Sequence, residues 1–146
     1  MMKIFKCRDV KSPTRGTEKS AGLDFYIPDD WFECVVHPQR SVNIPSGVHA
    51  LIPPGFALIM HDKSGIALNK GFAVGAKVID EDYQGEIHLH VFNVCGAKQT
   101  LQPGMKLVQG LLIPVGYHSI TEATSLKELY KNKTDRGIGG FGSTGI

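Results

Sequence analysis

The stretch best suited to chemistry reads Val78-Ile-Asp80-Glu-Asp82-Tyr83-Gln-Gly85-Glu86. It combines acids, a tyrosine and a glycine, and we interpret it as a segment that holds a nucleotide. Asp80 is a candidate general base, because a carboxylate can take a proton from an attacking water. The ring of Tyr83 offers a flat surface for a base or a sugar.

The residues on both sides of this stretch predict a β-hairpin. Apolar side chains alternate with polar ones at the period of two that is typical of half-buried strands. The alternating apolar positions are Ile79 on one side and Ile87, Leu89 and Val91 on the other. Turn residues from Asp82 to Gly85 separate the two runs, so packed strands would hold the turn rigidly. An ordinary hairpin with a solvated acidic turn fits the same local residues equally well.

A second segment, Lys63-Ser64-Gly65, follows the apolar run from Phe56 to Met60. It joins a cation, a hydroxyl and a backbone that a ligand can approach closely, which together suit a phosphate. Three residues are too few to be specific, and read alone they predict a turn. Gln109 lies inside the apolar run from Met105 to Val115, where its amide must either be hydrogen-bonded within a sheet or face a cavity.

The tail from Arg136 to Gly145 contains a literal G-x-G-x-x-G sequence. A Rossmann turn is not expected, because that motif opens a helix and this sequence stops at Ile146. Arg136, Phe141 and the many backbone amides predict an arm that wraps a phosphate while Phe141 stacks on a base. Ordering so many glycines costs conformational entropy, so we expect the arm to be mobile until a ligand binds. A disordered glycine-rich terminus is the alternative interpretation.

A zinc site is not predicted. Cys34 and His37 have a metal-like spacing, and His88 and His90 share one strand face, but no third or fourth ligand lies near either pair in sequence.

Length and composition limit the class of protein. The 146 residues fit one domain with a single core. A formal charge of +2 is too small to predict nucleic-acid binding, and no apolar run approaches the ~18 residues of a membrane span. Three cysteines without a repeating spacing, and an N-terminus without a signal sequence, favour the reducing cytoplasm. If the protein is viral this would be the host cytoplasm, and the nucleus is not excluded.

The remaining sequence predicts an all-β fold. Scattered glycines and prolines favour many short strands joined by turns. Strands are predicted at Lys3–Val10, at 21–26 with Leu23 and Phe25 on one face, and at 41–44, 48–52, 56–60 and 105–115, with a turn at 101–104. Residues 31–36 predict either a further strand or a short surface excursion. The one helical pattern runs from Ser125 to Lys131, with Ser125 as a possible N-cap and Glu128 three residues later.

Five segments together resemble the trimeric dUTPases, the deoxyuridine triphosphate nucleotidohydrolases, in the order in which that family carries them. They are Ala21-Gly-Leu-Asp24, Lys63-Ser-Gly65-Ile-Ala67, Gly75-Ala-Lys-Val-Ile-Asp80-Glu-Asp-Tyr83-Gln-Gly-Glu86, Gly104-Met-Lys-Leu-Val-Gln109 with Pro114, and Arg136-Gly-Ile-Gly-Gly-Phe141-Gly-Ser-Thr-Gly145. The resemblance implies a distorted β-barrel of jelly-roll type spanning 1–146, with 136–146 as the nucleotide-closing arm. It also implies a homotrimer whose active sites lie between subunits.

The resemblance further implies hydrolysis of dUTP to dUMP and pyrophosphate, with water attacking the α-phosphorus. Asp80 would activate that water, and Tyr83 would pack under the deoxyribose, where a ribose hydroxyl would clash. Mg²⁺ is expected on the triphosphate oxygens and solvent, without protein ligands. The implied substrate-binding residues are Lys77, Val78 and His88 at the uracil, Lys63, Ser64 and Gly65 at the α- and β-phosphates, Arg136, Gly142, Ser143 and Thr144 at the γ-phosphate, Phe141 stacking on the base, and Ala76, Ile79 and Gln109.

This sequence departs from the family pattern at a few positions. Lys63 and Lys106 stand where arginine is common, which exchanges a bidentate fork for a point charge. Lys106 is expected to pair with a carboxylate such as Asp24. Lys77 and His88 are larger than the residues frequent at the uracil positions.

Two alternatives stay open at this stage. One is a dCTP deaminase of the same fold, although that enzyme's hairpin usually lacks the Asp-Glu-Asp-Tyr run. The other is a non-catalytic regulator of dUTPase type, which would have no physical need of Asp80 or the arm.

Overall fold

Short antiparallel strands make up most of the regular structure. The computed structural model describes residues 1–140, which divide into a first unit, Met1–Gly116, and a second unit that begins at Tyr117. The first unit contains the strands β1 (Lys3–Lys6), β2 (Leu23–Tyr26), β3 (Cys34–Val36), β4 (Ser41–Pro45), β5 (Val48–Leu51), β6 (Phe56–Asp62), β7 (Phe72–Val74), β8 (Val78–Ile79), β9 (His88–Asn93), β10 (Gln99–Leu101) and β11 (Lys106–Pro114), and the helix α1 (Ser64–Lys70).

The strands form four separate antiparallel sheets. The largest has the order β2-β11-β6-β8, a second has the order β4-β9-β7, and two further pairs are β1-β5 and β10-β3. The predicted all-β class is therefore confirmed. The hydrogen bonds among residues 1–140 do not close a single barrel, because each sheet ends at strands with one partner, as β8 does.

The predicted hairpin around residues 82–85 is wrong. Ile79 of β8 pairs with Leu58 of β6, whereas Val91 of β9 pairs with Val42 of β4 and Val74 of β7. The turn therefore joins two different sheets instead of two neighbouring strands. Alternating apolar residues identify a strand and its buried face, but they do not specify its partner.

The core of the first unit lies between these sheets. β11 runs between β2 and β6, and Gly110 leaves room at its centre, since an added Cβ would lie 2.9 Å from Leu58 and 3.0 Å from Phe25. The largest fully buried side chains are Phe25, Ile27, Ile44, Ile52, Leu58, Met60, Ile87, Leu89, Leu101, Leu107, Val48 and Val91.

The turn predicted at Lys63-Ser64-Gly65 is also wrong, because helix α1 begins at Ser64. This helix has seven residues, none of them buried, so it carries too little apolar periodicity to be recognised from sequence. It ends at Gly71, which adopts the left-handed conformation (φ 63°) and donates its N–H to the Ala67 carbonyl at 3.1 Å. The strands β7 and β10 were not predicted either, and β1 ends at Lys6, short of the predicted Val10.

The second unit contains the helix α2 (Leu126–Leu129). Ser125 is its N-cap, as predicted: the Ser125 Oγ accepts a hydrogen bond from the Glu128 N–H at 3.2 Å. The Glu128 carboxylate accepts from the N–H and hydroxyl of Thr124 at 2.8 and 2.6 Å, which lowers the pKa of Glu128. Among residues 1–140, no helix has the length and apolar character to cross a membrane.

Asn93→Ala should lower the free energy of unfolding by about 2–4 kcal/mol. Asn93 is fully buried, and its side chain donates to the carbonyls of Val36 and Ala97 and accepts from the Cys95 N–H. Removal leaves these backbone groups without their partner. Urea unfolding measures the loss, with the exposed Asn69→Ala on α1 as the matched control; equal effects of the two substitutions would contradict the assignment.

Candidate active site

The edge strand β8 directs the backbone N–H and C=O of one residue, Val78, away from the sheet. Ile79 pairs with Leu58 and Val78 with Ile59, and the Met60 N–H donates to the Lys77 carbonyl at 2.7 Å. Directly opposed residues of an antiparallel pair alternate between hydrogen-bonded and non-hydrogen-bonded. Lys77 therefore faces β6, and the N–H and C=O of Val78 face away from it. No strand within residues 1–140 covers this side of β8, so Val78 can bind a planar ligand edge through its backbone.

The segment before β8 is fastened to β9. The Gly75 N–H donates to the His90 carbonyl at 2.8 Å, and the Ala76 N–H donates to the His90 Nδ1 at 3.1 Å. Ala76 and Lys77 are both exposed. The structure thus brings the predicted substrate-binding residues Ala76, Lys77, Val78 and Ile79 together on one edge of the sheet.

Asp80 follows directly after this edge. Its carbonyl accepts the Tyr83 N–H at 3.2 Å, which closes a turn, and its carboxylate is exposed and makes no hydrogen bond or ion pair with any residue in 1–140. A solvated carboxylate of this kind can orient a water and take its proton.

Neighbouring acids anchor this turn at both ends. The Glu81 carboxylate accepts the Gly55 N–H at 2.7 Å, and Glu86 accepts the Gly47 N–H at 2.7 Å and the Arg8 Nε at 3.1 Å. Residue type alone does not separate these glutamates from Asp80. The contacts distinguish them, because Glu81 and Glu86 hold the backbone while Asp80 is available to a ligand.

The Tyr83 ring lies across Gly85. Its hydroxyl donates to the Glu86 carbonyl at 2.9 Å. A Cβ on Gly85 would lie 2.3 Å from the Tyr83 hydroxyl oxygen. Only glycine leaves space for the ring at this position. The ring is 43% exposed, so one face can still contact a ligand.

Lys63 and Lys106 share one buried carboxylate. The Lys63 Nζ lies 2.8 Å from Asp24 Oδ1 and the Lys106 Nζ lies 3.0 Å from Asp24 Oδ2, which confirms the expected pairing of Lys106. Burial alone would raise the pKa of Asp24, but the hydrogen bonds and charges of the two lysines outweigh it and hold the pKa below its usual value. The same contact raises the pKa of Lys106. Sequence reasoning missed the link between Asp24 and Lys63.

The structure does not bring Asp80 and Lys63 together within one chain. The register places Ile79 beside Leu58, and Glu81 contacts Gly55, so Asp80 lies near the start of β6. Lys63 follows the other end of this strand. At ~3.3 Å per residue the two positions are separated by roughly 20 Å along the strand.

The chain is similar to known proteins along nearly its whole length. A sequence model of the dUTPase family matches residues 8–145. The deoxyuridine 5'-triphosphate nucleotidohydrolase of Fowlpox virus (strain NVSL) is 35% identical over 144 residues, which cover 98% of this chain and 96% of the viral protein. This chain belongs to the dUTPase family.

Solved structures show the same fold. A point mutant of the Staphylococcus bacteriophage 80alpha dUTPase with dUpNHpp matches with a TM-score of 0.87 at 17% identity, covering 100% of this chain and 99% of that one. A point mutant of the dUTPase from phage phi11 of S. aureus, described as coordinating a structural Mg(II) ion, matches with a TM-score of 0.75 at 17% identity over 87% of this chain and 99% of that one.

The other predicted dUTPase residues lie in several places. Gln109 satisfies both expectations, since its Nε2 donates to the Asp62 carbonyl at 2.8 Å and it lines a pocket with Gly22 and His61. His88 is exposed, and its Nδ1 accepts from the Asn43 side chain at 2.9 Å. Ser64 and Gly65 are exposed at the start of α1.

The predicted arm lies in the second unit as far as it is described. The Arg136 Nε donates to the Gly139 carbonyl at 2.9 Å. Phe141, Gly142, Ser143 and Thr144 lie outside the described residues. Among residues 1–140, no group of three or more His, Cys, Asp or Glu side chains is arranged to hold a metal ion.

Asp24→Asn should destabilise the folded chain by about 1–3 kcal/mol at neutral pH, because it removes charged hydrogen bonds to both lysines. The folded-state pKa of Asp24 is lowered, so its contribution is present above the unfolded-state value and is lost as pH falls through the folded-state value. Urea unfolding between pH 7 and pH 3 should therefore show the wild type and variant converging at acid pH. A constant difference across this range would contradict the ion-pair assignment.

Proposed function

We propose that this protein hydrolyses dUTP to dUMP and pyrophosphate. The observation that carries the proposal is the exposed Asp80 carboxylate two residues beyond the outward-facing N–H and C=O of Val78. A base-reading edge and a group able to activate water thus occupy one short segment. Membership of the dUTPase family supports the same activity.

The uracil would be read by backbone. Its edge offers an N3–H donor beside carbonyl acceptors, and the C=O and N–H of Val78 supply the complementary acceptor and donor. Reading by backbone makes the large side chains of Lys77 and His88 compatible with the site, since both are exposed and can point away. Tyr83 would pack under the deoxyribose.

The chemical step would begin at the Asp80 carboxylate. Asp80 takes a proton from a water as the water oxygen forms a bond to the α-phosphorus. The bond from the α-phosphorus to the oxygen that bridges to the β-phosphate breaks, and pyrophosphate leaves with that oxygen. Mg²⁺ would enter on the triphosphate oxygens and offset their negative charge.

The phosphates would lie against the end of β6 and the start of α1. One of the three Lys63 N–H donors is used by Asp24, so others remain for the α- and β-phosphates, with the backbone of Ser64 and Gly65 nearby. The remaining contacts are assigned to Gln109, to Arg136, Gly142, Ser143 and Thr144 at the γ-phosphate, and to Phe141 stacking on the uracil.

We also propose a homotrimer with shared sites. Asp80 must lie close to the α-phosphorus and Lys63 within hydrogen-bonding distance of the same phosphates, whereas roughly 20 Å of strand separates them in one chain. Two copies can meet this requirement when Asp80 of one faces Lys63 of the next. A cyclic trimer provides such contacts and closes on itself. We place the activity in the cytoplasm, where the free thiols of Cys7, Cys34 and Cys95 would stay reduced.

Asp80→Asn should lower kcat for dUTP by about 10²- to 10⁴-fold while leaving binding of dUpNHpp nearly unchanged, because it removes the general base but preserves its shape. Pyrophosphate release and calorimetry measure the two effects. Asp82→Asn, an exposed acid in the same turn, is the matched control. Equal loss of binding and turnover would make Asp80 structural, and ammonia release from dCTP without pyrophosphate from dUTP would overturn the function.

Mixing two inactive variants tests the shared site. Asp80→Asn and Lys63→Ala chains, each impaired alone, should recover about a quarter of wild-type activity when refolded together, because random assembly joins an intact Asp80 to an intact Lys63 in about one site of four. Light scattering should give the mass of three 15.9-kDa chains. A mixture no more active than its components would contradict the arrangement.

A further inference from the structure

We propose that His90 is a positioning residue for the base-reading edge of β8. This inference rests on the proposed function and concerns how the same site is built. His90 lies on β9, in a different sheet from β8, yet it holds the backbone immediately before the Val78 peptide group. Its sequence position beside His88 suggests a metal pair, whereas its contacts indicate a backbone anchor.

The anchor has two hydrogen bonds and a close packing contact. The His90 carbonyl accepts the Gly75 N–H at 2.8 Å, and the His90 Nδ1 accepts the Ala76 N–H at 3.1 Å. A Cβ added to Gly75 would lie 2.2 Å from that Nδ1 and 2.7 Å from the Phe92 ring. Glycine at 75 is therefore what lets the imidazole lie against the backbone.

The contact fixes the state of the imidazole. An amide N–H can only donate, so Nδ1 must carry a lone pair and the ring hydrogen must be on Nε2. The Phe92 ring lies 4.7 Å from the His90 ring at 57° and limits its rotation. The tautomer makes Nδ1 an acceptor, and the packing against Phe92 keeps it directed at the Ala76 N–H.

The consequence for recognition follows from the strand register. Ala76 and Val78 both direct their N–H groups away from β6, while Lys77 between them is held by Met60. The His90 Nδ1 accepts the Ala76 N–H, so the N–H and C=O of Val78 are the backbone groups that remain available to a base. His90 therefore both ends the reading edge and, together with Met60, fixes where Val78 stands. Without the imidazole, Ala76 loses its hydrogen bond to β9 while Gly75 keeps its bond to the backbone carbonyl at position 90, and the reading edge becomes less well defined.

The test compares His90→Leu, which removes the acceptor, with His90→Asn, whose Oδ1 can take the place of Nδ1. His90→Leu should raise KM for dUTP about three- to tenfold, which is the change expected from the loss of one hydrogen bond. The kcat of this variant should stay within about twofold of the wild-type value. His90→Asn should restore KM to near the wild-type value. His37→Leu, an exposed histidine between β3 and β4, is the matched control and should match wild type.

A second measurement separates this inference from the proposed function. Amide hydrogen exchange of Ala76, followed by NMR, should accelerate in His90→Leu and stay slow in His90→Asn. Faster exchange with an unchanged KM would overturn the positioning role and leave the dUTPase activity standing, as would equal KM values in the Leu and Asn variants. A wild-type chain that neither binds nor hydrolyses dUTP would instead overturn the proposed function.

Discussion

The pairing of β8 with β6 is the constraint on which the candidate site depends. Leu58 and Met60, the β6 residues opposite Ile79 and Lys77, are fully buried. A shift of β8 by one residue would direct the half-buried Ile79 side chain to solvent and turn the N–H and C=O of Val78 toward β6. The hydrophobic core therefore fixes the direction of a polar backbone group at the surface. This relation explains how a site can read a base without a dedicated polar side chain.

A second relation connects the core to the phosphate end of the site. Burying Asp24 removes a carboxylate from water, which is costly unless the charge is compensated. Lys63 and Lys106 compensate it from opposite oxygens. Because two lysines share one carboxylate, this cluster keeps a formal charge of +1, and the buried Asp24 holds the Lys63 ammonium in place. An electrostatic requirement of folding and the cationic surface that we propose for the phosphates thus involve the same three residues.

The sequence predicts which residues form strands better than it predicts which strands pair. Alternation and turn residues identify β2, β4, β6 and β11, because those signals are local. The prediction of a hairpin at 82–85 was wrong because Glu81 binds Gly55 and Glu86 binds Gly47. These contacts join residues far apart in sequence, and the turn they hold connects one sheet to another. Helix α1 was not predicted because it is short and none of its residues is buried, so it has no clear apolar face. At the site, Asp80 and Tyr83 could be proposed from residue type, and the pairing of Lys106 with Asp24 from charge. The contact of His90 with Ala76 depends on how two sheets pack, which no local pattern encodes.

In the proposed trimer, the separation of Asp80 from Lys63 would give assembly a chemical role. A cation close to Asp80 in the free chain would form an ion pair with it and compete with water for the carboxylate. Within residues 1–140 the carboxylate makes no such pair, while the Lys63 charge is held at the other end of β6 by Asp24. In a shared site, the cation would reach the substrate from a second copy, with the phosphates lying between it and the base. The length of β6 therefore keeps the two charges of one chain apart, and only substrate in an assembled site would bring a base and a cation to the same phosphorus.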